Sequence, residues 1–300
     1  MNYIDTFREA EDLLTPGTSA CKGCGAEMFL RRVLKIAGKN TIAVIPPGCM
    51  AGAGSIGWDR LSGMKIPTTM TLLDNTASFL TGVSKIYERK GREDVNIIAF
   101  AGDGATSDCG FQSLSGSAER GDKMLYICYD NEGYMNTGYQ RSSTTSYGSR
   151  TSTTPVGKEI QGKGQHQKYL PLIMMMHNVE YVATASPANM ADFAKKVEKG
   201  LAASKRGFAY IHLFAPCPTG WGYPSDKGVE VSRKAVRSNF FPLFEYEAGK
   251  LTLRDPRNSI AVSEFVKGIR KFRHLDDNTT EELQNIVDYR MDTLRKLASN

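Results

Sequence analysis

The stretch Val95-Asn96-Ile97-Ile98-Ala99-Phe100-Ala101-Gly102-Asp103-Gly104 decides the fold of this chain. Its first six residues form a short apolar run rich in β-branched side chains, which is typical of a buried strand, and the Gly-Asp-Gly turn ends that run. Residues 111–120 then predict a helix, and a second apolar run over 124–129 predicts another strand that ends at Asp130-Asn131. Strand, helix and strand in this order form a βαβ unit, so we expect the two strands to be parallel neighbours.

Polar residues follow both of these strands. Because parallel neighbours present their carboxyl ends at the same edge of a sheet, Asp103 and Asn131 are predicted to lie at one rim, which is where ligands bind in open parallel sheets. A carboxylate, an amide oxygen and free backbone carbonyls suit Mg²⁺, which also takes phosphate oxygens as ligands. Gly102-Asp103-Gly104 alone could be any Asp-Gly turn, but its pairing with Asn131 predicts a site for a magnesium-bound diphosphate.

The composition is that of an ordinary globular protein. The chain has 300 residues, of which 41% are hydrophobic and 23% charged, enough for one large α/β domain or two smaller ones. No apolar run approaches the roughly 18 residues of a membrane-spanning helix, and the acidic N-terminus lacks the apolar core of a secretory signal, so we expect a cytoplasmic protein without a membrane partner. The net charge of +6 comes from scattered basic residues, which argues against nucleic-acid binding.

Helical and strand patterns alternate along the rest of the chain. Helices are expected over 26–37, 75–88 and 187–204, with a short one over 170–177, and further strands over 41–45, 180–184 and 208–214. This alternation predicts an α/β fold with a mostly parallel sheet and helices on both faces. Two segments lack a regular pattern: 50–71, where Trp58 is the one large anchor, and 131–170, whose length is typical of a functional or disordered loop.

No internal linker is apparent along the chain. We therefore predict one compact domain over residues 1–228, followed by a peripheral C-terminal extension over residues 229–300 that packs on the domain or on a partner subunit. The extension is expected to contain one helix, a small β hairpin around Gly249 and two terminal helices.

Four of the six cysteines follow breaks in the predicted elements. Cys21 and Cys24 form a Cys-x-x-Cys pair flanked by glycines, Cys49 follows Pro-Pro-Gly at a strand end, and Cys217 lies between two prolines just past a strand. Four thiolates suit a [4Fe–4S] cluster and also suit a structural zinc site, and the cysteines could be unconnected, so spacing alone leaves three alternatives.

The other two cysteines, Cys109 and Cys128, lie in or beside predicted core elements. We expect both to be small apolar core residues. His212 alternates with apolar residues in a predicted strand and is expected to be a hydrogen-bonded core histidine, whereas His166 is expected to be a solvated loop residue.

Five motifs together resemble the β subunits of pyruvate:ferredoxin oxidoreductase and related 2-oxoacid:ferredoxin oxidoreductases, over roughly residues 12–245. The motifs are Cys21-Lys22-Gly23-Cys24-Gly25, Gly48-Cys49, Gly102-Asp103-Gly104, the run 126–138 and the run 215–222. The resemblance implies a thiamine-diphosphate-binding fold, and both cofactor signatures occur in the order that the family has.

The resemblance also implies a role for individual residues near the diphosphate. Asp103 and Asn131 would supply side-chain oxygens to Mg²⁺ and Gly133 its backbone carbonyl. Residues 102–104, with Gly102 and Gly104 on either side of the aspartate, and the following helix N-terminus would face the diphosphate. Asn136 matches a family asparagine that lies near the reacting carbon.

For the cysteines, the resemblance decides what spacing could not. In the family, the residues matching Cys21, Cys24, Cys49 and Cys217 hold the [4Fe–4S] cluster nearest the thiamine, so iron–sulfur is expected rather than zinc. Gly25, beside Cys24, would leave backbone N–H groups free for the cluster sulfide.

The activity implied is oxidative decarboxylation of a 2-oxoacid, pyruvate by family default, in which coenzyme A takes the acyl group and electrons leave for ferredoxin. Nothing in the chain identifies the glutamate that activates the aminopyrimidine ring. We therefore expect an α subunit that supplies this glutamate and a ferredoxin-like subunit that carries further clusters.

Two segments depart from the usual pyruvate pattern. Residues 50–60 are rich in small side chains where the family tends to be acidic and rich in Pro and Tyr, and residues 72–76 replace an aromatic-acidic-Asn run. These departures keep phenylglyoxylate, a branched-chain oxoacid or oxalate open as substrates, although a drifted loop explains them equally well. A non-oxidative thiamine decarboxylase and a non-enzymatic zinc scaffold are the rival functional classes.

Overall fold

The computed structural model describes residues 3–54, 63–159 and 161–299, and a single mixed sheet runs through the centre of this part of the chain. The strands, in the order in which they lie side by side, are β2 (Thr68–Met70), β1 (Thr41–Ile45), β3 (Asn96–Gly102), β4 (Met124–Asp130), β6 (Phe208–Phe214), β5 (Tyr181–Ala185), β7 (Leu243–Glu247) and β8 (Lys250–Arg254). The first six in this order are parallel, and β7 and β8 are antiparallel.

Helices cover both faces of this sheet, as predicted. The helices are α1 (Tyr3–Glu9), α2 (Gly25–Ala37), α3 (Cys49–Gly54), α4 (Thr76–Arg89), α5 (Phe111–Glu119), α6 (Leu170–Met175), α7 (Met190–Ala203), α8 (Pro218–Trp221), α9 (Gly228–Arg237), α10 (Val262–Val266) and α11 (Asp277–Ala298). No helix of the described ranges is both long enough and apolar enough to pass through a membrane.

Strand β3 shows why its sequence is apolar throughout. Ile98 and Phe100 face a core formed with α2 and α7, whereas Ile97 and Ala99 face a second core formed with α4, α5, α6 and α11. Successive side chains of a strand point to opposite faces, so a strand covered on both faces needs apolar residues at every position. The predicted parallel pair is confirmed, because Gly102 of β3 lies opposite Tyr129 of β4.

The segment after residue 228 contributes to the main sheet. The hairpin around Gly249 adds β7 and β8, and Val182 of β5 pairs with Tyr246 of β7. Phe240, Phe265 and Phe272 form a third core together with Trp221. The boundary at residue 228 stays a prediction. The segment was expected to be peripheral, but it supplies two strands at one edge of the main sheet.

The two segments without regular pattern are partly ordered. Residues 50–71 include most of α3 and the edge strand β2, which the sequence did not reveal, and Trp58 lies outside the described residues. The described residues of 131–170 form turns whose hydroxyl groups are largely buried, including Ser142, Thr144 and Thr145. The conformation of such a segment is determined by its hydrogen-bond partners, so the spacing of apolar residues does not predict it.

Candidate cofactor cleft and cysteine cluster

Three of the predicted ligand groups meet at the carboxyl ends of β3 and β4. The end of the Asn131 side-chain amide that faces this rim lies 2.8 Å from the Gly133 carbonyl oxygen and 3.0 Å from Asp103 Oδ1. An amide turns by 180° without changing its shape, so either its NH₂ group donates to both oxygens or its oxygen joins them. In the second orientation, three oxygens are spaced as neighbouring ligands of an octahedral Mg²⁺ are, about 3 Å apart for bonds of about 2.1 Å. The donor set therefore fits a magnesium ion, and the role of these residues stays a prediction.

The Asp103 carboxylate is almost completely buried, at 1% exposure. Its Oδ2 accepts hydrogen bonds from Ser142 Oγ at 2.5 Å and Thr144 Oγ1 at 3.0 Å, which leaves Oδ1 directed at the Asn131 amide. Burial and the nearby Asp130 carboxylate raise the pKa of Asp103 well above its ordinary value, although the two hydroxyls oppose this. A cation at the rim would offset the negative charge that burial makes costly.

Asp130, the last residue of β4, makes several hydrogen bonds next to the rim. Sequence analysis did not predict a role for it. Its carboxylate accepts from His212 Nε2 at 2.9 Å, from Thr144 Oγ1 at 2.9 Å and from the Glu132 N–H at 2.8 Å. His212 also bonds to the Tyr210 hydroxyl, at 2.7 Å, and is 3% exposed. The expectation that His212 is a hydrogen-bonded core histidine is confirmed. Its hydrogen bond to Asp130 holds in place the residue that precedes Asn131.

Glycine is required at Gly104 because another group occupies the space. A Cβ atom at this position would lie 2.4 Å from the Tyr134 ring, whose hydroxyl donates to the Gly104 carbonyl at 3.2 Å. The chain then continues into a π-helical turn over Ala105–Cys109 before α5 begins. The helix predicted over residues 111–120 is confirmed as α5, and the π turn that precedes it was not predicted.

A cleft opens over this rim and encloses about 120 Å³. Its lining includes the predicted residues Gly102, Asp103, Gly104, Asn131, Gly133, Asn136 and Cys49, together with Leu73, Tyr134 and Met135. Asn136 is exposed at the cleft. Pockets that bury a cofactor-sized ligand usually enclose roughly 300–1,000 Å³, so this cleft has the size of part of such a site.

Three of the four predicted cluster cysteines line this cleft or a second cavity. Cys49 lines the cleft, whereas Cys21 and Cys24, together with Gly25, line a second cavity of about 350 Å³ that Pro216, the neighbour of Cys217, also lines. Cys24 occupies the N-cap position of α2 without a side-chain hydrogen bond, whereas Cys217 caps α8, where its Sγ accepts the Gly220 N–H at 3.3 Å. All four are free thiols.

The thiols influence one another electrostatically. Burial raises the pKa of Cys24 to about 11, and burial followed by Cys24, Cys217 and Cys21 raises the pKa of Cys49 to about 12. The nearby Asp103 carboxylate also raises the pKa of Cys49. Thiolates at these positions need a cationic centre to stabilise them.

Within the described ranges, no three His, Cys, Asp or Glu side chains are grouped as a single-ion site. A [4Fe–4S] cluster takes one thiolate on each of its four irons, so its cysteines surround a larger centre than one ion. The assignment of Cys21, Cys24, Cys49 and Cys217 to such a cluster stays a prediction.

The expectation for the remaining cysteines is half correct. Cys128 is fully buried in β4, but Cys109 is exposed at the end of the π turn, with its Sγ 3.5 Å from the Tyr134 hydroxyl. The wider turn carries this side chain outward from the core. His166 is exposed, as expected, and its ring contacts Tyr147.

Sequence reasoning missed a buried ion pair next to the rim. The Glu132 carboxylate, 3% exposed, accepts from Lys271 Nζ at 2.5 Å, and burial lowers the pKa of Lys271 to about 8. The two residues are far apart in sequence and belong to no common motif. No feature of the sequence therefore signals the pair, and the structure shows in addition that Glu132 has φ +61°, a conformation that non-glycine residues seldom adopt.

Comparison with known proteins places this geometry in a family. The model of the thiamine pyrophosphate enzymes, C-terminal TPP binding domain, matches residues 48–213. This range includes β3, β4, β5 and nearly all of β6, together with most of the residues that line the cofactor cleft.

Three relatives cover nearly the whole chain. The β subunit of NADH-dependent phenylglyoxylate dehydrogenase from Aromatoleum evansii is 49% identical over 95% of this chain, which spans only 64% of that relative's length. Pyruvate synthase subunit PorB from Methanothermobacter thermautotrophicus is 45% identical over 93% of this chain and 96% of its own. Ketoisovalerate oxidoreductase subunit VorB from Pyrococcus furiosus is 41% identical over 96% of this chain and 94% of its own.

Among the solved structures that match is one that covers most of this chain. It is the 2-oxoglutarate:ferredoxin oxidoreductase from Magnetococcus marinus, solved with 2-oxoglutarate, coenzyme A and succinyl-CoA bound, with a TM-score of 0.57 and 24% identity over 71% of each chain. At this identity the likeness concerns the fold alone.

Proposed function

We propose that this chain, which belongs to the thiamine pyrophosphate enzymes, catalyses the oxidative decarboxylation of a 2-oxoacid. Among these enzymes it belongs to the β subunits of the 2-oxoacid:ferredoxin oxidoreductases. Thiamine diphosphate, held through Mg²⁺, supplies the electron sink for loss of CO₂. The chain would also hold a [4Fe–4S] cluster, which would supply a one-electron acceptor. Coenzyme A takes the acyl group and ferredoxin or another carrier takes the electrons onward.

The observation that carries this proposal is the position of Cys49. Its side chain lines the same cleft as Asp103 and Asn131, and burial, the other three cysteines and Asp103 all raise its pKa. A cluster held there would adjoin the diphosphate rim. This arrangement favours electron acceptance next to the reacting group over a non-oxidative decarboxylase, which needs no cluster.

The proposal assigns a role to residues of the cleft and to the four cysteines. Asp103, Asn131 and the Gly133 carbonyl hold Mg²⁺, and the missing side chain at Gly104 keeps the rim open next to Tyr134. Asn136, exposed at the cleft, would donate its amide N–H to the substrate oxygen nearest the reacting carbon. Cys21, Cys24, Cys49 and Cys217 hold the cluster.

The cleft also supports the need for partner subunits. It encloses about 120 Å³, less than a thiamine-sized ligand needs, and among the described residues that line it the only carboxylate belongs to Asp103. We propose that an α subunit closes the cleft and supplies the glutamate that activates the aminopyrimidine. A ferredoxin-like subunit with further clusters would collect the electrons, and the assembly is proposed to act in the cytoplasm.

One anaerobic purification of the complex with its partner subunits tests this function. We expect broad brown absorbance, about four iron atoms per β chain and stoichiometric thiamine diphosphate. A colourless protein with thiamine diphosphate would point to the non-oxidative class. Zinc in place of iron, without thiamine, would replace the proposal with the scaffold hypothesis.

Pyruvate is the first substrate to test, and phenylglyoxylate is the second candidate. The phenylglyoxylate dehydrogenase β subunit is 49% identical to this chain, compared with 45% for a pyruvate synthase subunit. The small residues that follow Cys49 in the sequence are the feature that keeps an aromatic oxoacid among the candidates, although Ala51 and Gly52 do not line the cleft and Ser19 fills the space beside Gly52. Turnover of pyruvate, phenylglyoxylate, oxalate and branched-chain oxoacids by the purified complex, with reduction of a viologen dye as the readout, discriminates between the candidates.

A further inference from the structure

The turn that carries two of the proposed magnesium ligands contains a buried glutamate. Glu132 lies between Asn131 and Gly133, has a left-handed backbone with φ +61°, and is 3% exposed. An extended or helical conformation at this residue would direct the neighbouring groups elsewhere, so the turn needs external contacts to keep this shape.

The Glu132 carboxylate has one cationic partner among the described residues. Its Oε2 accepts from Lys271 Nζ at 2.5 Å and from the Ser146 hydroxyl and N–H at 2.7 and 3.2 Å. The Lys271 side chain has 0% exposure. Each charge is therefore removed from water and stabilised chiefly by the other.

Aromatic rings enclose the rest of the Lys271 ammonium. Nζ lies 3.2 Å from the centroid of the Trp221 ring and 4.5 Å from that of Phe272. The same Trp221 donates its indole N–H to the Asn131 carbonyl at 2.8 Å. Trp221 thus contacts both the cation and the residue on the other side of the strained turn.

The segment that carries Lys271 is fixed against the helix that Cys217 begins. Gly222, the C-cap of α8, has φ +72°, and a Cβ atom there would lie 2.5–2.6 Å from the Arg270 side chain. The Arg270 N–H donates to the Gly222 carbonyl at 3.4 Å. The absence of a side chain at Gly222 therefore lets the segment that carries Lys271 pack closely against the end of α8.

We propose that Lys271 is a positioning residue for the metal-binding turn. Its ammonium holds the Glu132 carboxylate, and with Trp221 it keeps Asn131 and Gly133 directed at Asp103. This inference rests on the proposed magnesium role of that turn. It gives the C-terminal segment, which lies beyond the residues matched by the family model, a part in cofactor binding.

The test uses the complete complex with its partner subunits and compares two buried lysines. Lys271→Met removes the ammonium at the turn. Lys196→Met is the matched control, because Lys196 is 2% exposed and its Nζ bonds to Asp192 at 2.8 Å and to the Thr184 carbonyl at 2.9 Å, on α7 and β5. The readout is the Mg²⁺ concentration that gives half-maximal retention of thiamine diphosphate after gel filtration, with iron content measured in parallel.

We expect Lys271→Met to raise this Mg²⁺ concentration about tenfold or more, since it leaves a buried carboxylate without its cation. Iron content should stay unchanged, and Lys196→Met should behave as the wild type does. The double variant Glu132→Gln/Lys271→Met removes both charges and should recover most of the loss. It also provides the measurement if Lys271→Met alone fails to fold.

Three results would overturn the inference. They are an unchanged Mg²⁺ requirement in Lys271→Met, equal shifts in the two lysine variants, and no recovery in a folded double variant. A wild-type complex that retains no thiamine diphosphate at any Mg²⁺ concentration would instead refute the proposed function, and the inference with it.

Discussion

Asp103→Asn should separate the stability of the protein from its capacity to bind the cofactor. The carboxylate is buried near Asp130, and Oδ2 already has two hydroxyl donors. In the variant, the oxygen of the new amide can accept from Ser142 and Thr144, and its NH₂ group can donate to the oxygens at the rim. One of two neighbouring buried carboxylates disappears without loss of packing, so the cofactor-free protein should be as stable as the wild type or more stable.

The effect on cofactor binding has the opposite sign. Of the three predicted ligands, Asp103 alone carries a charge. A ligand present at 100 times its dissociation constant stabilises a protein by about 2.7 kcal/mol. For a chain of 300 residues, about 1 kcal/mol shifts the unfolding temperature by roughly 1.5–2 °C, so Mg²⁺ and thiamine diphosphate should raise that temperature by roughly 4–5 °C in the wild type and by less than about 1 °C in Asp103→Asn.

The assay is a thermal melt of the complex, stripped with EDTA and then supplied with Mg²⁺ and thiamine diphosphate. Asp122→Asn is the control, because Asp122 is also fully buried and bonded to Thr81 and Arg120 but precedes β4, at the opposite end of the strand from the rim. The reasoning is refuted if Asp103→Asn keeps the full cofactor-induced shift. It is also refuted if the cofactor-free variant melts well below the cofactor-free wild type.

Three further changes probe the other parts of the site. Cys217→Ala should lose most of the cluster iron, whereas Cys109→Ala, which alters an exposed thiol outside the group, should keep it; equal iron content in the two variants contradicts the ligand assignment. Gly104→Ala should reduce thiamine diphosphate retention at least about tenfold, because the added Cβ would lie 2.4 Å from Tyr134. The control Gly157→Ala should not reduce it, because the space around Gly157 is open. Retention is measured by thiochrome fluorescence. Ser142→Ala should raise the Mg²⁺ requirement by about tenfold, since a hydrogen bond to a charged group contributes about 1.5–3 kcal/mol, and an unchanged requirement in a Mg²⁺ titration would show that this hydroxyl does not orient Asp103.

The βαβ unit at the centre of the fold was predictable because its signals are local. The apolar runs that become β3 and β4 are continuous, and the polar residues that end them fall at the strand ends where the chain leaves the sheet. Parallel pairing then brings Asp103 and Asn131 together without further information. The same local logic located the helices α2, α4 and α7 to within a few residues.

The supporting contacts were not predictable, because they join distant and unpatterned segments. Ser142 and Thr144 reach Asp103 from a loop without periodicity, and Lys271 reaches Glu132 from the far end of the chain. A polar pair of this kind leaves no trace in hydrophobic spacing, since each partner alone looks like a surface residue. Cys109 shows the converse, since an apolar setting in the sequence did not anticipate that a π turn would carry its side chain outward.

The place of β6 in the sheet has a consequence for biosynthesis. This strand lies between β4 and β5, although both precede it in the chain, so the middle of the sheet stays open until Phe208–Phe214 has been synthesised. Cys217 follows only three residues after β6 ends. Because chains fold from the N-terminus as they are made, Cys21, Cys24 and Cys49 emerge long before their fourth companion. The closing of the sheet and the appearance of the last proposed cluster ligand therefore nearly coincide during synthesis, and we expect cluster assembly only after this point.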